Sequence, residues 1–278
     1  MHRLPTLLLA VALVAPVAVA DSRTFVSVLD NTLIEDPQGA YSGGKSTYFF
    51  VGRVGTNGGG TLRRGLVRFD LGAIPPGSTI ESASIRLYCS AAGTTAQHPI
   101  SFKRALASWG EGTSIAFGGG GANSTAGDAT WLHRFWPGTP WAVPGGDFAA
   151  TASATRNVGG QGFYTWTSTP GLVADVQLWV DDASANHGWL LQGNESVQQS
   201  VKRFDSRESL ASTRPQLTVV FTPPPPPVIG DLNGDQTVNA ADLAILLGQW
   251  GGPGTADFDG NGTVNAADLA TLLGAWSS

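Results

Sequence analysis

Near the C-terminus, six aspartates recur at fixed intervals, interleaved with asparagines and threonines and with no lysine or arginine among them. The run Asp231-Leu-Asn233-Gly-Asp235-Gln-Thr237-Val-Asn239-Ala-Ala-Asp242 returns as Asp257-Phe-Asp259-Gly-Asn261-Gly-Thr263-Val-Asn265-Ala-Ala-Asp268. Oxygen-bearing side chains thus occupy positions 1, 3, 5, 9 and 12 of a twelve-residue loop, and position 7, Thr237 or Thr263, offers its backbone carbonyl. A hard cation that takes roughly six to eight oxygens is wrapped by this spacing, so the expected cofactor is Ca2+. Each loop carries three carboxylates, which attract one divalent ion and more than neutralise it. An acidic segment with no cations of its own repels itself unless a counter-ion sits there.

The elements that must hold these loops are legible too. Leu243, Leu246, Leu247 and Trp250 follow the first loop, and Leu269, Leu272, Leu273 and Trp276 follow the second. Both sets fall at i, i+3, i+4 and i+7, the spacing of a helix with one apolar face to bury against its twin. A unit of about 50 residues without a disulfide has too little core to be secure, so bound metal is expected to supply much of its folding free energy.

This duplicated loop and helix pattern resembles the type I dockerin over residues 231–276, within a module spanning 230–278. The resemblance implies docking onto a cohesin-like or surface protein. Aspartate at position 12 agrees with the family. Gln236 stands where position 6 is usually glycine, whereas Gly262 is regular. The pair at positions 10 and 11, which in the family helps to choose the cohesin, is Ala240-Ala241 in one copy and Ala266-Ala267 in the other.

Residues 223–227 are an unbroken proline run, expected to form an extended spacer within a linker over 223–229. At the other end, His2 and Arg3 precede an apolar run, and Ala18-Val19-Ala20 stands directly before Asp21. That is the layout of a cleaved secretory signal over residues 1–20, which implies a secreted, extracellular protein. Cys89 is the only cysteine, so neither an intrachain disulfide nor a cysteine-based zinc site is available. Between signal and linker the basic and acidic side chains balance, which argues against nucleic acid as a partner.

Residues 21–222 are rich in glycine and in period-two alternation. Ala83, Ile85, Leu87 and Cys89 fall on one face of a strand and Ser84, Arg86 and Tyr88 on the other. Val67, Phe69 and Leu71 repeat the pattern, as do Leu217, Val219 and Phe221. One helix is expected, capped by Thr169 with Pro170 in its first turn. The fold class expected is an all-β, jelly-roll-like sandwich with a small all-α, EF-hand-like calcium module at the C-terminus.

Several segments of this region resemble secreted domains of the DNRLRE type, a group related to carbohydrate-binding modules. They include Arg64-Gly-Leu-Val-Arg-Phe-Asp70, Trp109-Gly-Glu-Gly-Thr-Ser114, Gly127-Asp-Ala-Thr-Trp-Leu-His133 and Lys202-Arg-Phe-Asp-Ser-Arg-Glu208. The resemblance implies the fold and, through it, a polysaccharide ligand; the motifs carry no catalytic pattern.

Candidate ligand-binding residues are Trp131, Trp136 and Trp141, whose rings suit stacking on sugar faces, together with Arg64 and Arg134. Arg63, Arg64, Arg68, Lys202 and Arg203 form a possible cationic patch for an acidic glycan. Of the five glutamates, Glu111 and Glu208 are those to test for glycosidase chemistry, against an ordinary ion pair of Glu208 with Arg207 or Arg214. The resulting expectation is a non-catalytic tethering protein with a polysaccharide-binding domain. Its rivals are a dockerin-bearing lyase or glycosidase and a structural surface or matrix protein.

Overall fold

The computed structural model describes residues 19–277. The chain divides into two compact units, one ending at Pro224 and the other beginning at Pro225, within the proline run. The leader expected over residues 1–20 lies outside the described residues except for its last two, and the first strand starts at Asp21. Among the described residues no helix is long and apolar enough to cross a membrane.

The first unit is β-rich. Its strands are β1 (Asp21–Ile34), β2 (Tyr41–Ser42), β3 (Tyr48–Arg53), β4 (Leu62–Phe69), β5 (Thr79–Ala92), β6 (His98–Arg104) and β7 (Ala122–Asn123). They continue as β8 (His133–Phe135), β9 (Thr139–Pro140), β10 (Ala154–Val158), β11 (Gly162–Trp166), β12 (Trp189–Gln192), β13 (Lys202–Asp205) and β14 (Gln216–Thr222). Ten of them form an antiparallel sheet in the order β1-β14-β5-β13-β3-β4-β12-β6-β10, with β11 beside β5. β1 is long enough to close the ring: its first half pairs with β14 and, after a bulge near Ser27, its second half pairs with β4. Two separate layers of a sandwich were expected; the strands instead join into one closed, barrel-like sheet, because β1 and β3 each bond to strands of both halves.

The alternation read in the sequence sets the inside. Ala83, Ile85, Leu87 and Cys89 are fully buried, as are Val67, Leu217 and Val219, and they surround Phe102, Trp166, Trp189 and Phe204. Each large apolar side chain buried in this way stabilises the fold by about 1.5–3 kcal/mol. Helix α1 (Pro170–Asp181) covers part of this core with Leu172, Val176 and Trp179, and Thr169 caps it by accepting the Leu172 N–H at 3.1 Å. Asp175 on α1 ties the helix down by accepting from Ser153 Oγ at 2.5 Å and Trp189 Nε1 at 2.7 Å.

Between β6 and β10 the chain makes a long excursion that covers the outside of β1, β4 and β12. Trp109, Trp131 and Trp141 from this excursion pack with Leu33, Leu66 and Leu190 in a second core. Among the described residues no comparable cluster covers the outside of β5, β13 and β14.

The second unit contains helices α2 (Ala240–Gly248) and α3 (Ala266–Gly274). Its small core is Val238, Leu246, Ala256, Val264 and Leu272. Each loop is stitched to the chain that follows a helix. Val264 exchanges backbone bonds with Gly251 and Gly252 at 2.8 Å, and Val238 accepts from the Ser277 N–H at 2.8 Å.

Candidate metal centre and an acidic cluster in the β domain

Both twelve-residue loops are shaped by their own acidic side chains. In the second, Asp257 Oδ2 accepts from the Gly262 N–H at 2.7 Å, and Asp259 Oδ1 and Asn261 Oδ1 accept from the amides two residues onward. In the first, Asp231 accepts from Gly234, Asp235 and Gln236, and Asp235 Oδ1 accepts from the Thr237 amide and hydroxyl. These carboxylates bend the backbone inward around themselves, which brings oxygens to one centre.

The position-12 aspartates do two jobs. Asn239 and Asp242 form a capping box at the start of α2, and Asn265 and Asp268 repeat it at α3. Asp242 also accepts the Leu232 and Asn233 amides, and Asp268 those of Phe258 and Asp259, so the helix start is pinned to the loop start. Backbone N–H bonds, the Asn265 amide foremost, hold the Asp268 carboxyl below the usual range. For Asp242, burial pushes upward, but the Asn239, Leu232 and Asn233 amides outweigh it and the net shift is downward. Both groups are therefore anionic and ready to serve a cation at neutral pH.

Carboxylate oxygens of Asp257, Asp259 and Asp268 lie within 4.8 Å of one another. The donor set is all oxygen and acidic, which fits Ca2+ rather than a softer ion. The residues that would hold it are Asp231, Asn233, Asp235, Thr237, Asn239 and Asp242 in one loop and Asp257, Asp259, Asn261, Thr263, Asn265 and Asp268 in the other. Gln236 has a left-handed φ of 67°, as does Gly262 with 89°. Only the glutamine carries a Cβ into that conformation, at a cost of roughly 1 kcal/mol.

The apolar helix faces differ from expectation. Leu246 and Leu272 are buried and Leu243 and Leu269 partly so. Leu247 and Trp250 remain 54% and 48% exposed, however, and Leu273 and Trp276 remain 52% and 39% exposed. Two nine-residue helices end before a full i to i+7 stripe is complete, so the last-turn leucine of each and the tryptophan just past its end are left in water.

In the β domain, the two glutamates singled out from the sequence come together. Glu111 and Glu208 lie with Asp30, with carboxylate oxygens within 4.8 Å of one another. Arg207 clasps Glu111 with two bonds of 2.6 and 2.8 Å and approaches Glu208 at 3.1 Å, and Lys45 bonds to both. The Asp30 amide completes the set on Glu111 at 3.1 Å. Burial, above all, pushes the Asp30 carboxyl well up, with Glu208 and Glu111 adding to the rise. Three carboxylates thus share two cations, Arg207 and Lys45, and the Asp30 oxygen also accepts the Arg207 backbone N–H at 2.8 Å. Both oxygens of Glu111 are taken by N–H donors, an arrangement that fixes a carboxylate as an anchor. Arg214, the other partner weighed for Glu208, instead donates to the Ser209 carbonyl at 3.0 Å. Spacing offered no signal for Asp30 or Lys45; both are brought in by β1 and the turn before β3.

The structure does not assemble the expected tryptophan platform. Trp131 and Trp141 are 8% and 5% exposed because they supply the second core, and Trp141 Nε1 donates to the Thr130 carbonyl at 2.9 Å. Arg64 lies over the Trp131 ring, 4.8 Å from its centroid, and is paired bidentately with Glu195 at 2.7 and 3.0 Å. Trp136 is half-buried, and Arg134 is bonded to Ser108. The cationic patch is likewise dispersed: Arg63 is buried against Gly119 and Leu62 carbonyls, and Lys202 is fully buried, donating to the Thr94 and Ala96 carbonyls. Arg68 and Arg203 are the members that remain half-exposed without an ion pair among the described residues.

Comparison with known families places a Dockerin type I domain at residues 229–274. No curated protein matches the chain. Type I dockerin domains bind Ca2+ and dock onto cohesins, and dockerin proteins are typically extracellular components of cellulosomes. The C-terminal module thus supports calcium-dependent tethering to a cohesin.

Proposed function

We propose that this chain is a secreted, non-catalytic protein whose C-terminal module tethers it, once calcium is bound, while its β domain contacts polysaccharide. The observation that carries the tethering is the pair of exposed apolar patches, Leu247 with Trp250 and Leu273 with Trp276, at the C-terminal ends of helices pinned to acidic loops. Exposed tryptophans of this kind suit a protein interface. Alanines at positions 10 and 11 add methyl groups and no hydrogen-bond donors, so the partner surface that fits is apolar.

A pull-down from secreted material with the full chain as bait, with and without chelator, tests this. A partner retained only with calcium, and lost when Trp250 and Trp276 are both changed to alanine, is the expected result. Retention indifferent to chelator contradicts it.

The polysaccharide reading is supported by the resemblance of the β domain to DNRLRE-type domains. The cluster of Asp30, Glu111 and Glu208 favours a second reading, a dockerin-bearing polysaccharide lyase or glycosidase. Depolymerisation assays with Glu111→Gln and Glu208→Gln separate the two: activity that disappears in both variants selects the enzyme, and no activity on any polysaccharide leaves the binder.

A further inference from the structure

Three Asn-Gly pairs occur in the chain, and two of them fall inside the acidic loops: Asn233-Gly234 at positions 3 and 4 of the first, Asn261-Gly262 at positions 5 and 6 of the second. The third, Asn57-Gly58, lies in the β domain in an exposed 3-10 turn between β3 and β4. An Asn-Gly pair carries a reaction within itself. The glycine nitrogen attacks the asparagine Cγ and the new C–N bond closes a succinimide ring. The bond from Cγ to the carboxamide nitrogen breaks, and ammonia leaves with the proton that the glycine nitrogen gives up. Water then adds to one of the two ring carbonyls and reopens the ring, leaving aspartate or isoaspartate. Glycine favours closure because no side chain shields its nitrogen and its backbone turns freely.

In both loops the native bonds hold each group of that reaction away from it. The Gly234 N–H donates to Asp231 Oδ1 at 2.7 Å and the Gly262 N–H to Asp257 Oδ2 at 2.7 Å, so each nucleophile is occupied. The carboxamides are held at both ends. Asn233 Oδ1 accepts the Asp235 N–H at 3.0 Å while its Nδ2 donates to Asp235 Oδ2 at 2.9 Å. Asn261 Oδ1 accepts the Thr263 N–H at 3.0 Å while its Nδ2 donates to Asp259 Oδ2 at 2.9 Å. Closure must break these bonds and swing the carboxamide away from the loop centre, which it serves as a candidate ligand. Yet both pairs are exposed, and a side chain built on Gly234 or Gly262 would meet nothing within 4 Å, so an opened loop has no further shield. Gly58 differs: its N–H donates to the Gly55 carbonyl at 2.9 Å, with no acidic loop around it.

The twin loops also show what each product does. Position 3 is Asp259 in the second loop and position 5 is Asp235 in the first, so aspartate at Asn233 or Asn261 fits the ligand set. Isoaspartate instead adds a methylene to the main chain and moves every later ligand of the loop out of step.

We propose that Asn233 and Asn261 are deamidation sites gated by calcium: a loop closed over its ion is protected, and a loop left open turns in part to isoaspartate and does not reload. An ion that binds only the closed loop suppresses opening by mass action. This rests on the calcium-dependent module proposed above.

The test incubates the full chain in calcium and in chelator, digests it, and resolves the three Asn-Gly peptides into asparagine, aspartate and isoaspartate forms by chromatography and mass spectrometry. Conversion at Asn233 and Asn261 about tenfold faster in chelator is expected from ligand-linked closure, with Asn57 converting equally in both conditions. Equal conversion of the loop pairs in the two conditions overturns the gating, and so does a calcium dependence shared by Asn57. Calorimetric titration of a fresh sample with calcium separates the two readings. Heat together with equal conversion leaves the calcium module standing and removes this inference; no heat and equal conversion remove both. After long chelation, the heat recovered on returning calcium should fall in proportion to the isoaspartate found. Complete recovery in spite of isoaspartate contradicts the loss of reloading.

Discussion

At the residue scale, the most informative departures are two side chains in uncomfortable places. Gln236 holds a left-handed backbone that a glycine holds without strain. Gln236→Gly is expected to raise the calcium affinity of the first loop by about fivefold to tenfold, equivalent to roughly 1 kcal/mol, as read by calorimetric titration. An unchanged affinity removes strain as a factor in that loop. Asp30 is the other. It is almost completely buried among Glu111, Glu208, Arg207 and Lys45, and burial raises its carboxyl well above the ordinary range. A carboxyl raised in the folded state binds its proton more tightly there than in the unfolded chain. Its contribution to stability is thus complete below about pH 4, the unfolded value, and is lost as pH rises through the folded pKa. Melting temperature should therefore fall with pH across that window in the wild type and stay flatter in Asp30→Asn; parallel curves contradict the assignment. Glu111→Gln removes the charge that both cations share, and about 3–5 kcal/mol of domain stability should go with it, measured by denaturant unfolding.

At the element scale, the sequence was most legible where one periodicity decides the answer. The inward set of β5, the Thr169 cap of α1 and the twin loops all follow from local pattern. What was not legible depends on partners distant in the chain. The tryptophans of the β6–β10 excursion looked like exposed stacking rings, yet Leu33, Leu66 and Leu190 leave an apolar patch outside the sheet that the excursion must cover. Hydrophobic burial outweighs any gain from presenting those rings to solvent. Likewise, alternation had already placed Arg86 and Tyr88 on one face, but only strand register brings Phe163 beside them. The helix-faces expectation failed by one turn, because α2 and α3 end before the stripe is complete. The capping boxes provide a direct check: Asn265→Ala removes the side-chain acceptor of the Ala267 amide at 2.8 Å. It should destabilise the C-terminal module by about 1 kcal/mol while leaving the β domain's melting unchanged.

At the scale of the whole molecule, the chain combines two units with different sources of stability. The β domain has a large aromatic core, a closed sheet and an internal charge cluster in which Arg207 and Lys45 face Asp30, Glu111 and Glu208. The C-terminal module has five buried apolar side chains and loops crowded with aspartate, so its folding should be tied to the ion it holds. That difference is open to scanning calorimetry of the full chain with calcium and with chelator. Two transitions are predicted in calcium, of which the one belonging to residues 225–277 shifts far down or vanishes on chelation while the β-domain transition stays in place. Identical traces in the two conditions would contradict the calcium-dependent module on which the tethering account rests.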